Sequence, residues 1–129
     1  MKKGWALLGL MLLAACGRSA DFKAGSYKLV DSLNNVPTTL TFDANGHVNG
    51  KVVNYLMGSY KLSAKNNIKF GDMATTMMMG PADEMEAESD FLQILPRVKS
   101  YKMDGENLIL VTDNGGELVF EPYTPTEEE

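Results

Sequence analysis

Cysteine is almost missing from this sequence: Cys16 is the single one in 129 residues. A lone cysteine excludes any disulfide within the domain, even in an oxidising compartment. Histidine is as scarce, with only His47. A catalytic histidine needs a nucleophile and an orienting acid within reach, and no Gly-x-Ser-x-Gly elbow is present. His47 follows the Asn45-Gly46 turn and reads as a solvated turn residue. No glycine-rich phosphate loop occurs either. Basic residues are in deficit, 12 against 17 acidic, for a net charge of −5. That balance argues against nucleic acid as a partner, because phosphate binding needs clustered Lys and Arg. The only long apolar run, Gly4 to Leu13, is too short to span a bilayer.

That run carries the strongest local signal. Lys2 and Lys3 precede it and Leu13-Ala14-Ala15-Cys16 closes it, which is the layout of a secretory leader. The last four residues resemble the lipobox of bacterial lipoproteins. The resemblance implies removal of residues 1–15 as a signal peptide and acylation of Cys16, which anchors the protein to a membrane. Gly17, rather than Asp, after the cysteine implies an outer-membrane address facing the periplasm if the host has two membranes. Loss of Lys2 and Lys3 from the 12 basic residues leaves ten against 17 acidic, about −7. Residues 16–24 then form the lipidated cysteine and a tether, 25–123 the domain, and 124–129 an acidic tail expected to be disordered. The length suits one domain of modest stability, and a monomer is expected.

From Gly25 onward the pattern is that of short strands. Tyr27 and Leu29 alternate in SYKLVDSL, and Leu40 and Phe42 share a face in TLTFD. Asn34-Asn35, Asn45-Gly46, Lys65-Asn66-Asn67, Asp104-Gly105 and Asn114-Gly115-Gly116 supply turns. HVNGKVVNYL reads as one continuous strand with a bulge at Gly50. The period changes in PADEMEAESDFLQIL, where Met85, Phe91, Leu92 and Leu95 have helical spacing. Asp83 with Glu86 reads as a capping box, and Pro96 ends the helix. About seven or eight antiparallel strands with one helix late in the order predict a mainly β protein, a small lipocalin-like β-barrel or sandwich.

In order and spacing, GSYKLVDSLNN, PTTLTFDANGHVNG, GSYKL, TTMMMGP, the acidic helix ending in FLQIL, and YKMDGENLILV resemble a META domain, also called HslJ-like. The resemblance runs from about Gly25 to Phe120. It implies a small barrel-like fold in a bacterial lipoprotein or secreted protein, a link to heat shock and stress response, and no settled activity. Many members carry a Gly-Cys-Asn motif, whose asparagine matches Asn54 while Val53 stands at the cysteine. They often have Thr-x-Met-x-Cys before the helix as well. Thr76, Met77, Met78 and Met79 match that motif, with Gly80 at the cysteine. The chain thus looks like a cysteine-free branch, without the residues for a redox role.

The run ATTMMMGP, Ala74 to Pro81, marks the candidate binding loop: Asn54, Thr75, Thr76, Met77, Met78 and Met79. Methionine fills irregular core gaps and also makes adaptable contact surfaces. The preferred reading is a plug, with some of Met77, Met78 and Met79 pointing into one barrel mouth under the helix and one pointing outward. An exposed contact surface and a copper(I) site are the alternatives; no cofactor or resident metal is expected. Thr75, Thr76 and Asn54 read as residues bonding local turns. The carboxylates Asp83, Glu84, Glu86, Glu88 and Asp90 read as a solvated helix face, with Glu86 or Glu88 packed on the barrel as the exception. An enzyme is not expected. The leading functional expectation is a non-enzymatic, lipid-anchored module contacting an envelope protein. The alternative is a carrier of a small lipophilic ligand, with Met77, Met78, Phe91 and Tyr101 lining a cavity in the barrel.

Overall fold

The computed structural model describes residues 21–125. The leader, Cys16 and the last four residues of the tail lie outside the described residues. The strands are β1 (Gly25–Leu29), β2 (Thr39–Phe42), β3 (His47–Lys51), β4 (Tyr55–Ser63), β5 (Asn67–Phe70), the two-residue β6 (Ala74–Thr75), β7 (Val98–Asp104), β8 (Asn107–Thr112) and β9 (Glu117–Pro122). A 3-10 turn, Leu33–Asn35, follows β1, and the helix α1 (Ala82–Ile94) runs into a second 3-10 turn, Leu95–Arg97.

Eight strands close into an antiparallel barrel in the order β3-β2-β1-β9-β8-β7-β5-β4, completed by β3–β4 pairing, while β6 extends the β5 edge of β4. Closure leaves no long unpaired edge. The seam between β5 and β7 is the thinnest, with Asn67 opposite Ser100 as its one strand pair. The expected barrel with one late helix is therefore the fold. Alternation dictates the interior: Tyr27, Leu29, Leu40, Phe42, Val48, Leu56, Ile68, Phe70, Leu108, Leu110 and Phe120 are all buried. Burying side chains of this size contributes roughly 1.5–3 kcal/mol each.

The turns form where the sequence places them. Asn34, Asn35, Lys65 and Asn66 adopt positive φ, which Asn tolerates better than most residues. The Asp43 carboxylate accepts from the N–H groups of Asn45 and His47 and fixes the β2–β3 turn. That backbone N–H of His47 is the main reason the Asp43 carboxyl is held below its usual range. His47 stays exposed beside it.

Three local expectations fail. HVNGKVVNYL is not one strand, because the chain bends at Val52, Val53 and Asn54 before β4 begins. Gly50 is not a bulge: it pairs in register with both Leu40 and Leu56. Its glycine is needed because a Cβ there would lie 2.4 Å from the Thr39 carbonyl oxygen. Finally, α1 has no capping box. Pro81 is the N-cap without a side-chain bond, and the Asp83 carboxylate accepts from its neighbour Glu84 instead.

The register also defines two ends. Lys28 lies opposite Thr39, Thr39 opposite Lys51 and Lys51 opposite Tyr55, so these residues share one end of the barrel. The helix covers this end with Ala87, Phe91 and the following Leu95, all fully buried, and the Phe91 ring meets Phe120 at 6.5 Å between centroids. The other end is closed by Phe22, whose ring lies 5.2 Å from Phe42, 5.5 Å from Tyr60 and 5.2 Å from Tyr101. Phe22 falls within the stretch read as tether. The packed domain thus begins before Gly25.

Candidate functional site

The bend at Val52–Asn54 leaves the N–H groups of Val53 and Asn54 outside the β ladders, and buried donors must find partners. Both converge on Glu88. Its Oε1 accepts from Val53 N at 3.0 Å and from Asn54 N at 2.6 Å. Its Oε2 accepts from Asn54 Nδ2 at 2.8 Å. Glu88 is 5 % exposed and Asn54 3 %. This carboxylate is carried inward because it sits next to Ala87 and one turn before Phe91, on the face α1 turns to the barrel.

Asn54 passes the network on to the methionine loop. Its Oδ1 accepts from Thr76 Oγ1 at 2.8 Å and from Met78 N at 2.6 Å, and its Nδ2 also donates to Met78 O at 3.3 Å. The Met78 N–H fixes the amide orientation, since a flipped amide would set donor against donor. Thr76 Oγ1 in turn accepts from Tyr55 N, and Thr76 N donates to Tyr55 O. Every hydrogen-bonding position of the Asn54 side chain is used. The cluster acts as a clamp joining α1, the β3–β4 bend and the loop after β6. Through these bonds Glu88 ties the Val53–Asn54 backbone to α1, and Asn54 ties it on to Thr76 and Met78.

What the clamp presents is apolar. Met77 is 91 % exposed and Met79 88 %, with Met78, Met57 and Tyr55 half exposed beside them. Met57 lies opposite Ala74 across the β4–β6 pair, and the Tyr55 backbone is bonded to Thr76, so the strand carrying these two half-exposed side chains runs beside the chain that leads into Met77–Met79, and together they are called the methionine ridge. The plug reading of the methionines is therefore corrected: the helix residues Ala87, Phe91 and Leu95 fill that mouth, and the methionines point outward. Thr75 serves as a β6 residue opposite Leu56. The four residues assigned to a carrier cavity are not brought together. Phe91 packs at the helix end, Tyr101 against Phe22 at the other, and Met77 and Met78 lie outside.

Of the expected site residues, Asn54, Thr76 and Met78 meet directly, Met77 and Met79 flank them, and Cys16 lies outside the described residues. Sequence reasoning read the five acids as a solvated face with Glu86 or Glu88 as the exception, and the structure makes it Glu88. The signal that singles it out is position, one residue after Ala87 and three before Phe91. Val53 and Gly80, which stand where the resemblance described above implies cysteines, also face each other. A Cβ on Gly80 would come within 3.0 Å of Val53 Cγ1.

Elsewhere, burial pushes the Tyr27 and Tyr60 phenols above their ordinary value. Glu106 adds to the effect at Tyr27 and Asp43 at Tyr60. Both hydroxyls donate to backbone oxygens, Tyr27 to Lys23 O at 2.7 Å and Tyr60 to Asp43 O. Among the described residues no three His, Cys, Asp or Glu side chains gather to hold a metal ion. No helix among them is long and apolar enough to cross a membrane.

The fold has solved counterparts. A protein from Burkholderia xenovorans, determined by NMR, superposes with a TM-score of 0.63 at 24 % identity, over 80 % of this chain and 84 % of that one. A second NMR structure gives a TM-score of 0.59 at 18 % identity, over 78 % and 90 %. The crystal structure of a duf4847 family protein from Bacteroides vulgatus gives 0.52 at 17 % identity, over 69 % and 61 %. At these identities the likeness is one of fold. No match is found among curated proteins. The META domain family model matches residues 20–124, nearly the whole packed barrel, and the chain belongs to the META domain family.

Proposed function

We propose that this protein is a lipid-anchored envelope lipoprotein of the HslJ-like kind, whose META domain acts as a non-enzymatic binding module in stress response. Its contact surface is the methionine ridge. The observation that carries this reading is the pairing of a saturated, buried clamp with fully exposed thioether side chains. A loop held by Asn54 at both Met78 N and Met78 O offers apolar surface at low ordering cost, and methionine adapts to an irregular partner. The lipobox sequence supports the anchor. Cys16 is six residues before Phe22, so the membrane stands within about 20 Å of the barrel end that Phe22 closes. The ridge lies at the other end and faces away from that surface. Multiple acyl chains give stable attachment where one does not.

Two experiments in the native host test it. Cys16→Ser should move the protein from the membrane to the soluble fraction with its thermal transition unchanged; full membrane retention contradicts the anchor. A photoreactive residue at position 79, in intact cells, should give one discrete protein adduct that is lost in Tyr55→Asp. The same adduct pattern from a control at exposed Lys61 would overturn the ridge as the contact surface. The carrier reading is disfavoured by the interior, which is filled by its own Tyr, Phe and Leu side chains.

A further inference from the structure

The packed barrel carries no cysteine, since Cys16 is the single one in the chain and lies before it. Its oxidisable sulfur is therefore all thioether, in the methionines from Met57 to Met103, and these divide sharply by exposure. Met77 is 91 % exposed and Met79 88 %, while Met57 and Met78 are about half exposed. Met73 and Met103 pack against the core, and the Met73 sulfur lies over Gly58 where a side chain would otherwise stand. Met85 is half-buried, with its sulfur beside Gly80. The fastenings of the loop are separate from all of these sulfurs. They are the bonds of Met78 N and Met78 O to the Asn54 amide and of Thr76 Oγ1 to Asn54 Oδ1, and none of them reaches a thioether. The Met77 and Met79 side chains can change their chemistry without costing the loop its position.

We infer that Met77 and Met79 are a reversible oxidation site, through which a peroxide switches the ridge from an apolar to a polar contact surface; this regulation rests on the ridge being the contact surface. In the step, a thioether sulfur attacks one oxygen of hydrogen peroxide. The S–O bond forms as the O–O bond breaks, and the departing hydroxide takes the proton from the transferred oxygen and leaves as water. Sulfur loses two electrons, the peroxide gains them, and the product is methionine sulfoxide. A thiol-dependent sulfoxide reductase reverses it: two thiols become a disulfide, the oxygen leaves as water, and the thioether returns. A partner that received the thioether in an apolar contact must now desolvate a sulfoxide oxygen without a hydrogen bond, which weakens the contact. In the free protein the same oxygen stays in water at these two positions, so the barrel is undisturbed. At Met73 or Met103 it would be driven into the core packing. Exposure thus directs the oxidant to the two sulfurs whose change alters the surface and spares the fold.

The test has two arms. In the first, the detergent-solubilised full-length protein is titrated with hydrogen peroxide, oxidation is mapped by peptide mass, and the melting temperature is followed. Met77 and Met79 should each gain an oxygen before Met73, Met85 and Met103, with the melting temperature unchanged, and a methionine sulfoxide reductase with a dithiol should remove both oxygens. Equally early oxidation of Met73 or Met103, or a fallen melting temperature when only Met77 and Met79 are oxidised, overturns the site. In the second arm, a photoreactive residue at position 57 reports the ridge contact in intact cells before and after brief peroxide treatment. The adduct yield of treated over untreated cells should fall by about tenfold in the parent. The same ratio should stay near unity in a chain carrying Met77→Leu and Met79→Leu. A parent ratio near unity overturns the switch and leaves the contact surface standing. An equal fall in the leucine chain places the oxidation elsewhere and overturns the role of these two residues. No adduct in untreated parent cells overturns the ridge as contact surface, and the regulation with it.

Discussion

Replacing Glu88 tests the clamp with a calculable cost. Glu88→Leu keeps the volume of the side chain within the buried face of α1 but removes the acceptor of three hydrogen bonds, from Val53 N, Asn54 N and Asn54 Nδ2. Each buried donor left without a partner costs about 1–3 kcal/mol. Some of that is recovered, because a leucine is easier to bury than a carboxylate. A net loss of about 3–5 kcal/mol follows, a large fraction of the 5–15 kcal/mol that holds a typical domain. Glu88→Gln is the informative contrast. Its remaining carbonyl oxygen accepts both backbone N–H groups, while its amide opposes Asn54 Nδ2, so about 1–2 kcal/mol is lost. For a domain of this size that lowers the melting temperature by roughly 4–15 °C. Urea denaturation of the parent and both variants gives the three free energies with one slope. If Glu88→Leu falls within 0.5 kcal/mol of the parent, where ordinary surface substitutions lie, the carboxylate does not hold the bend and the reasoning fails.

Three further outcomes follow from the same geometry. Met77→Ala and Met79→Ala should each change stability by less than about 0.5 kcal/mol, since both side chains are exposed; losses near those of a buried methionine, about 2–5 kcal/mol, would restore the plug. Val53→Cys with Gly80→Cys should oxidise to a disulfide, because the two positions are in contact. Closing that loop should raise stability by about 3–4 kcal/mol on the chain-entropy account; thiols that stay free in air, by thiol titration, refute the juxtaposition. Tyr27 and Tyr60 have phenol pKa values raised in the folded state, by burial first, above the ordinary 10.0. Their contribution is complete below pH 10.0 and is lost as pH rises through the folded values. Absorbance titration near 295 nm, with Tyr27→Phe and Tyr60→Phe to assign the signals, should show Tyr27 and Tyr60 ionising above pH 10.0; ionisation of either below pH 10.0 contradicts it.

Much of the barrel was legible because a half-buried strand writes its register into alternation. Tyr27 and Leu29, Leu40 and Phe42, Leu108 and Leu110 all alternate, and Asn or Gly marks each hairpin where positive φ is needed. The misreadings around the site have a shared physical cause. Val52 and Val53 are β-branched, so local propensity favours a strand through them. What bends the chain instead is a tertiary contact, the carboxylate of a residue 35 positions later in the case of Val53. With the bend unseen, the two freed N–H groups were unseen, and nothing chose between Glu88 and Glu86 as the acid packed on the barrel. The methionines failed in the opposite direction. Hydrophobicity alone places some of Met77, Met78 and Met79 inside, but the mouth is filled by α1, through Ala87 and Phe91. Phe22 was missed because one aromatic in a polar stretch has no periodicity, although it packs against three rings.

The central claim is that a buried Glu88–Asn54 clamp holds an outward methionine ridge in one place. Amide hydrogen exchange at Met78 measures this directly, because its N–H is exposed in sequence terms yet donates to Asn54 Oδ1 at 2.6 Å. Protection comparable to that of the Leu56 amide in β4, lost on Asn54→Ala, is the result the account predicts. Exchange as fast as an unstructured loop amide in the parent protein would mean that the ridge is not fixed, and the account would be wrong at its centre.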